Sequence, residues 1–259
     1  MTFNKVPAIS PESKEQSVPV ALNGMRIDTL RLCKYLTVVA IALAIVGAIA
    51  NLIIYQVAES PEADVARVMS RFDLGHEPSL PAFFSSLVLL LNGLMLLMIA
   101  WTKRRSKERD VTHWAVLGFI FVAMSIDETV MFHEMIDKAI GFAVATDGFL
   151  LFPWAVLGAT VALAVFGAYA GFLLRLPRRF ALLFIASGAL YVGGAVGMEF
   201  LAAGVIDQHG VESAYHTLVQ TIEESLEMAG SILFFYSLAT YWAQFHGTTP
   251  IILTQEGRA

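Results

Sequence analysis

From Tyr35 to Tyr55 the chain carries no charged residue, and a water-soluble domain has nowhere to put such a run. A bilayer core about 30 Å thick takes roughly 20 apolar residues per helix. Five further stretches meet that demand, at about 83–101, 113–135, 151–174, 180–203 and 215–243. Composition agrees: of 259 residues, 57% are hydrophobic and 15% charged, whereas a soluble domain carries about 25% charged residues. The first run does not read as a cleaved signal, because 34 residues precede it and no small-residue cleavage site is evident. The expected fold is all-α, a polytopic transmembrane bundle of six spans. A single cysteine, Cys33, excludes an internal disulfide and any multi-cysteine metal site.

The basic residues set the direction of the spans, since Lys and Arg concentrate in cytoplasmic loops. Lys5, Lys14, Arg26, Arg31 and Lys34 precede the first span. Lys103, Arg104, Arg105, Lys107 and Arg109 follow the second, Arg175, Arg178 and Arg179 follow the fourth, and Arg258 lies in the tail. The odd-numbered connections hold only Arg67, Arg71 and Lys138. Both termini are therefore expected in the cytoplasm. Residues 1–24, with Pro7, Pro11 and Pro19, read as a disordered arm, residues 25–246 as the membrane domain and 247–259 as a cytoplasmic tail. In the first external connection Val65, Val68, Met69 and Phe72 recur at helical spacing. They predict a short helix within 61–73, either lying at the membrane surface or capping the bundle.

Ionisable residues crowd into three of the spans. The third contains Asp127, Glu128, His133 and Glu134, followed by Asp137. Glu199 closes the fifth, and the sixth carries His216, Gln220, Glu223, Glu224 and Glu227. An isolated charge near the bilayer centre costs about 2.5–3.5 kcal/mol on insertion scales, so such residues should face protein or a cavity and are functional candidates by default. At 1.5 Å per residue, Asp127 lies about 20 Å from the cytoplasmic start of its span, and Glu223 and Glu227 about 12–18 Å below the outer surface. The levels overlap in the outer half. On the sixth span His216, Gln220, Glu223 and Glu227 share one stripe at 100° per residue, with Glu224 to its side. On the third, a straight helix cannot aim Asp127, Glu128, His133 and Glu134 at one point. A bulge or a helix end near Phe132 is therefore expected. Gly193 and Gly197 form a G-x-x-x-G step, and Gly230 lies one turn past Glu227, which suits close helix packing.

No Lys or Arg falls within the cores of these three spans, so the acids must be protonated, hydrogen-bonded or bound to cations. Three readings follow. Mixed carboxylate and imidazole ligands from Asp127, Glu128, His133, Glu134, Glu199, His216, Glu223, Glu224 and Glu227 would suit a divalent zinc, iron or manganese ion. Such a metal could act on a lipid-like substrate from the outer leaflet. The same acids could instead carry protons or cations, in a coupled transporter or an accessory subunit. They could also form a purely structural network. The metal reading leads, although the Glu-x-x-His steps of di-iron bundles are missing and His133-Glu134 lacks the second histidine of a zinc hydrolase motif. Leu233, Phe234, Phe235 and Leu238, with Phe119, Phe121 and Val122, predict a dry cytoplasmic half. Met131 and Met228 read as core packing. Trp101, Trp114, Trp154, Tyr241 and Trp242 read as interfacial anchors, and His209 as a residue of the loop Asp207–Gly210. Membrane lipid is an expected partner and nucleic acid is not.

The string Ser-Ile-Asp-Glu-(x)4-His-Glu at 125–134, Met-Glu at 198–199 and Ile-Glu-Glu-(x)2-Glu-Met-(x)-Gly at 222–230 resembles a group of uncharacterised bacterial multipass membrane proteins. The likeness covers most of the chain from the first span on. It implies a bacterial inner membrane and supplies no activity, substrate or cofactor. Alkaline-ceramidase-like hydrolases are a more distant comparison, and their seven spans and paired His-x-x-x-His are missing here.

Overall fold

The computed structural model describes residues 29–57, 63–76, 78–143, 151–211 and 213–245. The expected arm and tail lie outside them. Among the described residues there is no strand. The helices are α1 (Thr29–Val57), α2 (Ala63–Met69), α3 (Leu80–Arg105), α4 (Val111–Val130), α5 (Phe132–Ala143), α6 (Pro153–Arg175), α7 (Arg178–Val192), α8 (Glu199–His209) and α9 (Ala214–Phe245), with a π-helical turn at Gly193–Met198 joining α7 to α8.

Five helical segments are long and apolar enough to cross a membrane: Leu30–Ile54, Leu80–Arg105, Val111–Val130, Pro153–Arg175 and Arg178–His209. Their outward residues are apolar, as with Val38, Ile41, Ile45 and Leu52 on α1 and Leu157, Val161, Leu163 and Phe166 on α6. Apolar surface on this scale belongs against lipid or another protein. These are the features of a multipass membrane protein.

The sixth expected span, α9, has 32 residues, about 48 Å at 1.5 Å per residue, but it is more polar than the other five. Its position explains why. It packs against α1, α3, α7, α8 and the π turn, so Glu227, Ser231, Ser237 and Tyr241 are buried in protein. A helix sheathed by others need not be apolar towards lipid. Asn92 of α3, fully buried, donates from Nδ2 to the Ser231 carbonyl at 2.9 Å. Ser86 and Ser125 bond α3 to α4 reciprocally, each hydroxyl donating to the other's carbonyl, at 2.8 and 2.9 Å. Such interhelical bonds are typical membrane-bundle contacts.

Sequence chemistry sets the helix ends. The Ser79 side chain accepts from Ala82 N–H at 3.2 Å and Pro81 lies in the first turn of α3, while Lys103, Arg104 and Arg105 close its last turn, where cations complement the helix dipole. The expected external helix is present as α2, shorter than 61–73. The chain beyond it tucks Leu74, fully buried, among Ala40, Val88, Met228 and Ile232. At the end bearing the basic loops, Trp114, Phe172, Phe180, Phe184, Phe234 and Tyr241 form a second core with Leu96, Ile99 and Leu238. The rings of Phe121 and Phe234 stack at 4.7 Å. The dry half is thus present, except that Phe119 is 63% exposed and faces outward from the bundle.

Candidate functional site

The third expected span is not continuous. α4 ends at Val130, and Met131, with φ 59° and ψ 45°, turns the chain before α5 begins at Phe132. A left-handed residue with a Cβ costs roughly 1–2 kcal/mol, so Met131 serves the break and not the core packing expected of it. Met228 does pack in the core, 2% exposed. The break solves the geometric difficulty of the acid-rich string. It folds His133 back so that its Nδ1 lies 3.0 Å from Asp127 Oδ2, and its N–H donates to Asp127 Oδ1 at 3.2 Å.

Trp154, the second residue of α6, joins this pair to two further carboxylates. Its ring lies against that of His133, with centroids 5.1 Å apart. Its indole N–H donates to Glu199 Oε1 at 3.2 Å, and its backbone N–H donates to Asp137 Oδ1 at 2.6 Å. Asp137 thereby satisfies an orphan donor at the start of α6, where negative charge suits the helix dipole. Glu223 of α9 lies within electrostatic reach of Glu199. In this first set Trp154 thus touches His133, Asp137 and Glu199, with Asp127 behind His133 and Glu223 near Glu199.

A second set surrounds Tyr191 of α7. Glu227, Glu128 and Glu224 lie within electrostatic reach of the Tyr191 hydroxyl. The π turn makes room for this approach. A Cβ on Gly194 would stand 2.8 Å from the Glu223 carbonyl and 2.9 Å from Glu227 Cγ, and one on Gly230 would stand 2.7 Å from Tyr191 N. Gly194 and Gly230 are therefore the residues that let α9 touch α7 and the turn. The expected step at Gly193 and Gly197 is not: neither would meet an atom within 4 Å. Widened turns inside helices are frequent at functional sites.

Several expectations are corrected by these positions. Glu134 is not without a basic partner, since Lys138 Nζ bonds its Oε2 at 2.6 Å, one turn on and exposed. Glu199 does not close the fifth span: the helix runs ten residues further, to His209. His209 is the last residue of α8 rather than a loop residue, and its ring meets Tyr215 at 4.6 Å. His216 is buried in the first turn of α9, its Nδ1 2.9 Å from the Val211 carbonyl. Asp127 and Glu128, being neighbours on one helix, diverge by about 100° and serve different sets. Among the described residues, no group of three or more His, Cys, Asp or Glu is placed to hold a metal ion.

The residues that sequence reasoning undervalued are Trp154, Tyr191 and Asp137. Trp154 passed as an interfacial anchor. Its signal was the preceding Pro153, which marks a helix start whose next backbone N–H has no intrahelical acceptor and must find one elsewhere.

A family profile described as Domain of unknown function (DUF8692) matches residues 36–242. No curated protein and no solved structure matches the chain.

Proposed function

The chain belongs to the DUF8692 family, and from its own residues we propose a proton-coupled membrane protein, a carrier or a subunit of one, in a bacterial inner membrane. α9 completes six crossings, with both termini and the basic loops in the cytoplasm and the two carboxylate sets in the outer half. Lys and Arg distribution supports that orientation. Cysteines placed at Ser70 and Ser106 test it: labelling from outside at Ser106 and not at Ser70 overturns it.

The observation that carries the functional reading is the division of the acids. A resident metal needs three or more ligands in one sphere, and among the described residues no His, Cys, Asp or Glu are so grouped. Asp127 pairs with His133, Asp137 and Glu199 accept from Trp154, and Glu128, Glu224 and Glu227 lie within electrostatic reach of Tyr191. Carboxylates close together and away from water share protons among themselves. Asp127 and Glu128, consecutive on α4, belong one to each set, so exchangeable proton sites run across α4, α5, α8 and α9. The stacked aromatic core closes the basic end in this conformation, and transport requires it to part.

Proteoliposomes loaded with a pH-sensitive dye provide the test. Wild type dissipates an imposed proton gradient, Asp127→Asn and Glu227→Gln abolish the flux, and Glu134→Gln retains it. Equal flux in all four sinks the reading. Elemental analysis showing about one divalent metal per chain, lost in Glu224→Asp and Glu227→Asp, favours the metal site instead.

A further inference from the structure

A cavity of about 520 Å³ opens at the other end of the bundle, between the α3–α4 loop, the α6–α7 turn and the end of α9. Its polar wall consists of Lys103, Lys107, Glu108, Arg109, Asp110 and Arg175, and its floor of Trp114, Phe172 and Tyr241. The acids are already engaged. Glu108 Oε2 holds Lys103 Nζ at 2.5 Å, with that ammonium also 5.8 Å above the Tyr241 ring. Asp110 takes the Arg175 guanidinium in a fork, at 2.6 and 3.2 Å. Four bases against two acids leave two positive charges in excess. Among the described residues, the exposed Lys107 and Arg109 form no salt bridge.

The loop that carries them is held in a costly shape. Lys107 and Asp110 adopt φ of 54° and 66°, a conformation that residues with a Cβ avoid. The Lys103–Glu108 and Asp110–Arg175 pairs flank the loop and fix it. Strained backbone held by its surroundings is characteristic of binding sites. With the membrane placed as proposed above, the cavity lies at the depth of lipid headgroups. It adjoins the last turn of α3, where the Arg105 guanidinium sits 3.9 Å over the exposed Trp101 ring, an arrangement of the membrane boundary. Leu174 beside Arg175 is 87% exposed and offers a surface for an acyl chain.

We propose that this cavity binds a phosphate-bearing anion, with Lys107 and Arg109 as the recognising charges and the aromatic floor under the glycerol or its equivalent. An anionic phospholipid headgroup and a soluble phosphate compound share that chemistry. A phosphodiester carries about one negative charge, which the two excess cations accommodate. The assignment stands on residues remote from the acid sets and is independent of the proton reading.

The test uses the full chain in phosphatidylcholine nanodiscs containing a small fraction of phosphatidylglycerol, with retained lipid counted by native mass spectrometry. Lys107→Gln with Arg109→Gln is expected to weaken phosphatidylglycerol retention about thirtyfold. The control, Arg104→Gln with Arg178→Gln, removes equal charge from the same end outside the cavity and is expected to keep retention. Equal loss in both pairs, or loss in neither, overturns the proposal. Inorganic phosphate distinguishes the two sources. If millimolar phosphate displaces the lipid from wild type, a soluble phosphate compound is the ligand. If it does not, while the first pair of substitutions still releases lipid, the ligand is the headgroup.

Discussion

His133 Nδ1 and Asp127 Oδ2 stand 3.0 Å apart although six residues separate them along the chain. No regular helix brings positions six apart together, since they differ by about 240° around its axis. The contact exists because Met131 breaks the helix between them. Break, carboxylate and imidazole form one unit, and Trp154 lies directly against it.

That proximity gives an optical reporter. In a variant retaining Trp154 as its only tryptophan, emission should change with pH as the neighbouring imidazole gains and loses a proton. His133→Gln should abolish the change, and Asp127→Asn should move its midpoint. A pH profile identical in all three proteins would mean that the ring contact has no electrostatic consequence.

The glycines separate two kinds of helix contact. Gly194→Ala and Gly230→Ala each place a methyl against backbone or Glu227, and overpacking of this kind costs about 1–3 kcal/mol. Gly193→Ala and Gly197→Ala meet nothing within 4 Å and should be neutral or slightly stabilising. Thermal melts of the four single variants check the order. A stability loss at Gly197 equal to that at Gly230 would contradict the packing described.

Asp110 governs a pH effect whose sign is fixed. The Arg175 guanidinium holds its carboxyl below the ordinary value. A depressed folded value contributes stability above the unfolded value, and that contribution disappears as pH falls through the folded one. Asp110→Asn should therefore lower the melting temperature near neutral pH, and the difference from wild type should shrink as pH falls through the folded value. Melting curves at several pH values test this, and an effect that grows on acidification would reverse the assignment.

Glu134 and Asp137 lie three residues apart and should behave differently. The exposed Glu134–Lys138 pair is worth at most about 1 kcal/mol, so Glu134→Gln should scarcely change stability. Asp137→Ala removes the acceptor for Trp154 N–H and should cost about 1–3 kcal/mol. Denaturation in detergent compares them, and equal losses would deny Asp137 its role at the start of α6.

The all-helical class and the positions of five helices long and apolar enough to cross a membrane were legible because lipid imposes a length and a polarity on every lipid-facing helix. α9 tested the limit of that rule, since a helix surrounded by others is released from it. The need for a break near Phe132 also followed from residue spacing, although not that Met131 would make it. What spacing could not show was partnership between helices. Gly194 and not Gly193 meets α9 because the π turn shifts the phase of everything after Val192. A lone Trp or Tyr, such as Trp154 or Tyr191, takes its role from neighbours that are distant in sequence. Depth placed the nine candidate residues in two layers of the outer half, whereas the structure pairs them by helix rotation, with Glu134 at Lys138 and His216 at Val211 apart from the rest.

The layer of stacked rings around Phe234 has an electrical meaning. Voltage across a membrane falls mostly where the medium is least polarisable, and moving one elementary charge through the whole drop is worth about 2.3 kcal/mol per 100 mV. On the proton-coupled reading proposed above, a proton arriving at Asp127 from the acid-bearing end crosses none of the Phe121–Phe234 stack. Its binding should respond weakly to membrane potential, and any later step past those rings should carry most of the voltage dependence.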